Sequence, residues 1–430
     1  MKTNLQVSII FLLIASSLLS ACESAKADTG EVARSDLRRD TAPAIPAADA
    51  QTLLDGNNAF AFDFYRQVRG DGGNLVYSPY SISLAAAMLY GGAGGETASQ
   101  IAGSLHFALP PDQFHPALNA LSLDLAQRPA QSQKIDRKNP MQLYIANAVW
   151  GQRDYPFEKA YLDLLAVNYG AGVRLLDFAA APDSARQKIN DWVDRETQGK
   201  IKDVMPPGSV DPRTRMVLAN AIYFKAAWQE AFVAKLTSDA PFTLLDGSQV
   251  QVPTMQTDGE IPLRVGSGEG YQVVALPYKG NLAEMVIILP EQGRFESVES
   301  TLDAAQFAAI LDGLHPSSLT LYMPKFEFSV DFDLIPVLSA LGMPLAFDEF
   351  KADFSGITKS ERLYVYQALH KAYILVNEAG TEAAAATILL ARPASLPQEL
   401  RIDRPFIFII RDVPTGTILF VGRVLNPLDK

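Results

Sequence analysis

Apolar side chains recur at helical intervals over residues 50–69, AQTLLDGNNAFAFDFYRQVR, and again from Ser83 to Tyr90, where Gly91-Gly92 stops the run. Glu96 to Leu105, the stretch from Phe157 to Tyr169 and Asn190 to Glu196 keep the same rhythm, which makes the first third of the chain largely helical. The pattern then changes. Met141 to Trp150, Arg215 to Phe224, Tyr271 to Pro277, Ala283 to Leu289, Ser318 to Phe328 and Leu363 to Asn377 are β-branched or aromatic runs bounded by Pro, Gly or Asn. Pro405 to Ile410 and Thr417 to Val424, joined by Pro414-Thr415-Gly416, predict a closing hairpin. The fold class is α+β, with large antiparallel or mixed sheets.

Glu378 to Leu400 does not fit this scheme. It lies between two predicted strands, yet Pro393 and Pro397 forbid a regular strand throughout. A structureless connector of this length inside a compact domain marks either a misassignment or a functional loop. Thr381 to Leu390 is alanine-rich, so propensity alone favours a surface helix. In an extended conformation, however, Thr381, Ala383, Ala385 and Thr387 share one face, and Glu382, Ala384, Ala386 and Ile388 the other. Small residues on one face would let such a strand slide between two others, so the sequence permits two states.

The chain has 430 residues, 48% hydrophobic and 20% charged, which excludes a disordered chain. Its net charge of -11 has the wrong sign for a nucleic-acid surface binder. The single cysteine, Cys22, and four scattered histidines argue against disulfides and against a metal site, and no cofactor is expected. The apolar run Leu5 to Leu19 has the length of a signal-peptide core rather than a membrane span. It ends in Leu19-Ser20-Ala21-Cys22, which resembles a bacterial lipoprotein cleavage box. We therefore expect a signal peptide over residues 1–21, a lipidated Cys22, a flexible tether over 22–48, and a folded domain over 49–430. The protein is expected to be an exported lipoprotein held at a membrane, on the periplasmic or the cell-surface face.

Glu378-Ala-Gly380-Thr381-Glu382-Ala-Ala-Ala-Ala-Thr387 resembles the hinge of inhibitory serpins, and the resemblance runs through nearly the whole folded part. Asn74-Leu-Val-Tyr-Ser78-Pro-Tyr-Ser81, Ile189-Asn-Asp-Trp-Val-Asp-Arg-Glu-Thr197, Leu218-Ala-Asn220-Ala-Ile-Tyr-Phe-Lys225-Ala-Ala-Trp228 and Leu276-Pro-Tyr-Lys-Gly280 follow in the family's order. Met323-Pro-Lys325-Phe, Ala352-Asp-Phe-Ser-Gly356-Ile, His370-Lys-Ala, Arg404-Pro405-Phe406 and Gly422-Arg-Val-Leu-Asn-Pro427 complete the series.

The resemblance implies a serpin fold with a five-stranded central sheet, two smaller sheets, about nine helices and an exposed reactive-centre loop. It implies a monomeric suicide-substrate inhibitor of serine proteases rather than an enzyme. The target's acyl-enzyme is trapped when the cut loop inserts into the central sheet. The hinge comprises Glu378, Gly380, Thr381, Glu382, Ala383, Ala384, Ala385, Ala386 and Thr387, with no bulky residue or proline between Gly380 and Thr387. The family's interval of sixteen residues from the hinge glutamate places the reactive bond between Ala394 and Ser395, which suits an elastase-like or subtilisin-like target. Arg392 is the alternative and would call for a trypsin-like enzyme, but Pro393 after it hinders that bond. By the same resemblance Ser78, Ser81, Asn220 and His370 form a polar cluster that governs sheet opening, the shutter. Trp228, Lys325 and Glu378 form the breach at its top, with Lys325 paired to Glu378. Ala226-Ala227 stands where the family often has glycine and is expected to lie away from the moving parts.

Rival functions find less in the chain. There is no Gly-x-Ser-x-Gly, His-Glu-x-x-His or phosphate-binding loop, and Gly91-Gly92-Ala-Gly94-Gly95 is a turn. A lipoprotein solute-binding protein should show two similar α/β lobes, which are not seen. The alternative that keeps the fold is a non-inhibitory, chaperone-like binding lipoprotein.

Overall fold

The computed structural model describes residues 31–381 and 398–430. Along the chain, β1 (Glu31–Ala33) precedes α1 (Ala47–Val68), β2 (Leu75–Tyr77), α2 (Pro79–Tyr90), α3 (Gly95–Ser104), α4 (Pro111–Ala126) and α5 (Arg128–Ile135). Next come β3 (Gln142–Gln152), α6 (Lys159–Tyr169), β4 (Val173–Leu176), α7 (Pro182–Glu196), β5 (Met216–Ala227), β6 (Ser238–Thr243), β7 (Gln249–Gln256), β8 (Ile261–Gly268), β9 (Tyr271–Pro277) and β10 (Ala283–Pro290). The last part holds α8 (Phe295–Thr301), α9 (Ala304–Asp312), β11 (His315–Pro324), β12 (Phe326–Asp333), α10 (Leu334–Ala340), β13 (Gln367–Asn377), β14 (Gly380–Thr381), β15 (Glu399–Arg401), β16 (Phe406–Asp412) and β17 (Ile418–Val424).

Local chemistry sets many of these boundaries. The Ser78 side chain accepts from the Ser81 amide and Pro79 supplies the first helical residue, so α2 starts four residues before its apolar run suggests. The predicted strand Ser318 to Phe328 is in fact two strands. It breaks at Pro324-Lys325, where proline removes a ladder donor and the chain passes from one sheet to another. The closing hairpin forms as expected, with Gly416 at φ +77 in its turn.

The central sheet runs β1-β4-β3-β5-β14-β13-β12. Neighbours β3 and β4 are parallel, as are β5 and β13, while β3 with β5 and β12 with β13 are antiparallel, so the sheet is mixed. The five strands implied by the resemblance are present, with two short additions, β1 on the outer edge and β14 in the middle. The smaller sheets are not separate. The first half of β11 pairs with β8 and its second half with β7 and β15, so one shared strand joins them.

Alternation along β5 divides the core. Leu218, Ile222, Phe224 and Ala226 join the main apolar body, whereas Val217, Ala219 and Ala221 face α7 and its Ile189, Trp192 and Val193. Alanines on that second face let the helix lie close over the sheet.

One expectation changes here. Residues 31–40, counted within a flexible tether, are packed on the domain: Glu31–Ala33 pairs with the edge of β4, and the Asp40 amide bonds the Val167 carbonyl at 2.9 Å. Edge pairing uses backbone groups that any sequence carries, so the lack of apolar periodicity concealed it.

Candidate functional site

Strands β5 and β13 pair directly only from Val217 to Ile222 and from Gln367 to Ala372. Higher up they separate, and β14 lies between them, antiparallel to both, with Gly380 opposite Ala227 and Asn377, and Thr381 opposite Ala226 and Val376. Gly380 and Thr381, the first residues of the expected hinge that the structure describes in a strand, are thus seated in the sheet. Ala226-Ala227, expected to lie away from the moving parts, instead pairs directly with Gly380-Thr381. A Cβ on Gly380 would lie 2.1 Å from the Ala226 carbonyl oxygen, so only glycine permits this approach.

The indole of Trp228 stacks on the Tyr278 ring at 4.6 Å between centroids, and its Nε1 donates to the Asn377 carbonyl at 3.0 Å. Its backbone amide donates to the Ala379 carbonyl at 3.0 Å, and the Phe232 amide to that of Glu378 at 2.8 Å. Thr381 is buried, and its hydroxyl shares a 2.8 Å hydrogen bond with the Tyr278 phenol. Burial raises the phenol's pKa, so that bond is made by a neutral group.

Glu378 receives the Thr237 hydroxyl at 2.8 Å and stands 3.0 Å from Lys325 Nζ. Desolvation works against its charge, but its own backbone amide, Thr237 and Lys325 together outweigh this and hold the carboxyl below its ordinary value. The structure therefore brings together Trp228, Lys325 and Glu378. Tyr278 lies inside the motif Leu276-Pro-Tyr-Lys-Gly280 but was given no role from sequence, and nothing in the local pattern marks Thr237.

The second cluster lies lower, where β5 and β13 are still paired. His370 stands opposite Asn220 in the register, and its Nδ1 bonds the Asn220 Oδ1. The Ser78 amide donates to His370 Nε2 at 3.1 Å, so the ring is neutral with its proton on Nδ1. Asn220 Nδ2 donates to the Ser81 carbonyl and hydroxyl, each at 2.7 Å, and to Asn147 Oδ1. Complete burial lowers the His370 pKa to about 3. All four sequence-predicted residues meet here, and Asn147 is a fifth. A signal for it exists: Ala146-Asn147-Ala148 and Ala219-Asn220-Ala221 repeat one tripeptide in two strand runs, and the asparagines pair across β3 and β5.

Glu382, Ala383, Ala384, Ala385, Ala386 and Thr387, the reactive-bond candidates Ala394 and Ser395, the alternative Arg392, and Cys22 lie outside the described residues. Among the described residues no group of acidic, histidine or cysteine side chains could hold a metal, and no helix is long and apolar enough to cross a membrane.

The model of the family described as Serpin (serine protease inhibitor) matches residues 55–427. An uncharacterized serpin-like protein of Thermococcus kodakarensis is 38% identical over 88% of this chain and 86% of its own length. The leukocyte elastase inhibitor of Equus caballus is 35% identical over 88% of this chain and 100% of its own. The native-state crystal structure of tengpin, a thermophilic serpin, superposes with a TM-score of 0.81 at 26% identity, covering 92% of this chain and 99% of that one. With a fold, a register and matches that extend across nearly the whole domain, the chain belongs to the serpin family.

Proposed function

We propose that this serpin is an irreversible suicide-substrate inhibitor of serine proteases. A target attacks the loop after Ala394, forms the acyl-enzyme, and is carried along as the loop enters the central sheet. The observation that supports this is the placement of Gly380-Thr381 between β5 and β13, in register with both. Continuing that register after cleavage brings Ala383 opposite Phe224 and Ile374, and Thr387 opposite Asn220 and His370. The face that turns toward the main core is then the small one, Thr381, Ala383, Ala385 and Thr387, and a threonine hydroxyl arrives at the polar cluster.

Each new ladder bond contributes about 0.5–1.5 kcal/mol net. A dozen of them with the accompanying burial reach on the order of 10 kcal/mol, comparable with the stability of a whole domain. That is sufficient to deform a captured enzyme. Alanine at the reactive position favours an elastase-like or subtilisin-like target, and the horse relative is named for leukocyte elastase.

The protein is further proposed to be anchored through a lipid on Cys22 and to act as a monomer. Because β1 begins at Glu31, residues 23–30 can span no more than about 30 Å, which keeps the sheet edge near the bilayer. Mass spectrometry of the membrane fraction tests the anchor, and an unmodified Cys22 removes it.

Incubation with elastase, subtilisin and trypsin tests the inhibitory mechanism. A band that survives boiling in detergent, at the summed mass less a short peptide, is expected with the first two enzymes. Clean cleavage without such a band, leaving the melting temperature unchanged, points instead to a non-inhibitory binding serpin.

A further inference from the structure

Arg39 is a partly buried cation whose polar partners are all neutral. Its Nε donates to Asn119 Oδ1 at 2.9 Å and its Nη2 to the Ser122 hydroxyl at 3.1 Å, both on α4. Among the described residues no acidic side chain pairs with it: desolvation depresses its pKa, and the opposing electrostatic contribution comes from the Tyr80 phenol. A guanidinium drawn out of water is ordinarily matched by an anion, because opposite charge and hydrogen bonds together replace its hydration. Nε and Nη2 are engaged with α4, and Nη1 is left for a further acceptor.

Tyr80 stands beside it. The residue is buried, its hydroxyl makes no well-formed hydrogen bond among the described residues, and burial pushes its pKa up to about 12, so it is a neutral donor at pH 7. The polar groups that act on it are Ser122 and Arg39. A guanidinium and two hydroxyls therefore converge with no anion among them.

Arg39 and Ser122 line a cavity of about 280 Å³ between β3 and the helices α2, α4 and α6. Tyr80, Leu84 and Met88 follow at intervals of four on one stripe of α2, which aims the phenol toward the same space. Leu84 and Met88, with Leu143 and Ile145 from β3, make much of the wall apolar. Two other polar groups on the wall are already satisfied, Asn147 by Ser81 and Asn220, and the Tyr169 phenol by His115 Nδ1 at 2.6 Å.

We propose that this cavity binds a small aliphatic monocarboxylate. Arg39, Tyr80 and Ser122 hold the carboxylate, and the tail lies along Leu84, Met88, Leu143 and Ile145. At about 30 Å³ for each water-sized group the space holds about nine, which suits a chain of about six carbons. Inorganic phosphate would leave the apolar wall uncovered, and a neutral alcohol would leave the guanidinium unmatched. The site stands apart from the loop and from whatever the loop traps.

Isothermal titration of the full, uncut chain with sodium hexanoate at pH 7 is the test, with acetate, decanoate, hexanol and inorganic phosphate as comparisons. One hexanoate is expected to bind per chain with a Kd of about 1 mM or below, a strength open to a ligand of about eight non-hydrogen atoms. Acetate is expected to bind at least tenfold more weakly for want of a tail, decanoate for want of room, and hexanol and phosphate likewise. Arg39→Gln keeps the stem and removes the charge, and is expected to weaken hexanoate binding at least tenfold. Tyr80→Phe removes one hydroxyl and is expected to weaken it roughly threefold to tenfold. Should Arg39→Gln be too unstable to titrate, the ligand series on the parent and Tyr80→Phe decide alone. Equal binding of hexanol and hexanoate would show an apolar pocket without an anion site. Phosphate binding as tight as hexanoate would reduce the site to a surface cation, and undiminished binding of hexanoate by the variants would place the ligand elsewhere. Any of these, or a titration that does not saturate, overturns the proposal.

Discussion

The hydroxyl of Thr381 meets the phenol of Tyr278 at 2.8 Å beneath the Trp228 indole, inside the sheet and away from solvent. The side chain at this position must therefore be small and able to share a single hydrogen bond, and on the proposed mechanism it leads the loop into the sheet.

Thr381→Arg places a guanidinium where Tyr278 offers one neutral oxygen. An unpaired buried charge costs several kcal/mol, which the hinge avoids by leaving the sheet. The variant is expected to fold, to be cut by the target and to release it, with the detergent-stable complex reduced at least tenfold. An undiminished complex on a gel would show that Thr381 does not lead insertion.

Glu378→Gln tests the ion pair with Lys325. The folded carboxyl titrates below its ordinary value, so its contribution is fully present above the unfolded pKa and is lost as pH falls through the lower folded value. Lys325 is partly exposed, which limits the pair to about 1 kcal/mol. The melting temperature of the variant is expected to lie one or two degrees, roughly, below the parent's at pH 7 and to equal it in acid well below pH 4. A difference that persists at low pH would assign the effect to packing.

Most of the architecture was legible because strands such as β10 and β16 carry unbroken apolar runs, Met285–Leu289 and Phe406–Ile410, and α1 carries a clean helical period. From its residues alone the expected hinge was legible only as a two-state segment, since alanine favours a helix by propensity yet is small enough for a strand squeezed between two others. Its contact with Ala226-Ala227 was not, because a wall of small residues has no pattern of its own. Nor was the double pairing of β11 legible, because its first residues, His315-Pro-Ser317, are largely polar and exposed and fall outside the apolar run that predicts a strand. Residues 31–40 escaped too, since their contacts are mostly backbone bonds and one arginine. Asn147 was readable in principle from the repeated Ala-Asn-Ala, but a polar residue inside a strand gains meaning only when the register sets it opposite Asn220.

His370 gives the sharpest pH dependence. Burial holds its folded pKa at about 3, well below the unfolded value, so the native state binds fewer protons than the unfolded chain between these limits. Stability is full above about pH 6.5 and falls by roughly 1.4 kcal/mol per pH unit below it. In His370→Gln this slope is expected to flatten by about one proton between pH 6 and pH 4. The variant should also lose roughly 1–3 kcal/mol at neutral pH, since the Ser78 amide and Asn220 are left imperfectly paired. Urea titrations at several pH values measure both, and an unchanged slope would mean that His370 is protonated in the native protein.

The register itself can be tested at Thr387. If the strand continues from Thr381 without a slip, this residue reaches Asn220 and His370 only after the loop has been cut, while a shift of one residue turns its side chain to the opposite face, toward α7. Thr387→Val keeps the volume and removes the hydroxyl. It is expected to leave the uncut protein's melting temperature unchanged and to lower that of the cut form, because a valine methyl facing the polar cluster leaves one or more of its groups without a partner, at a cost of about 1–3 kcal/mol. Ala385→Val, two residues earlier on the same face, provides the comparison: it adds bulk beside Ile222 without removing a polar partner. A cut form destabilised by both variants would report tight packing alone. One destabilised by neither would place the inserted strand in a different register.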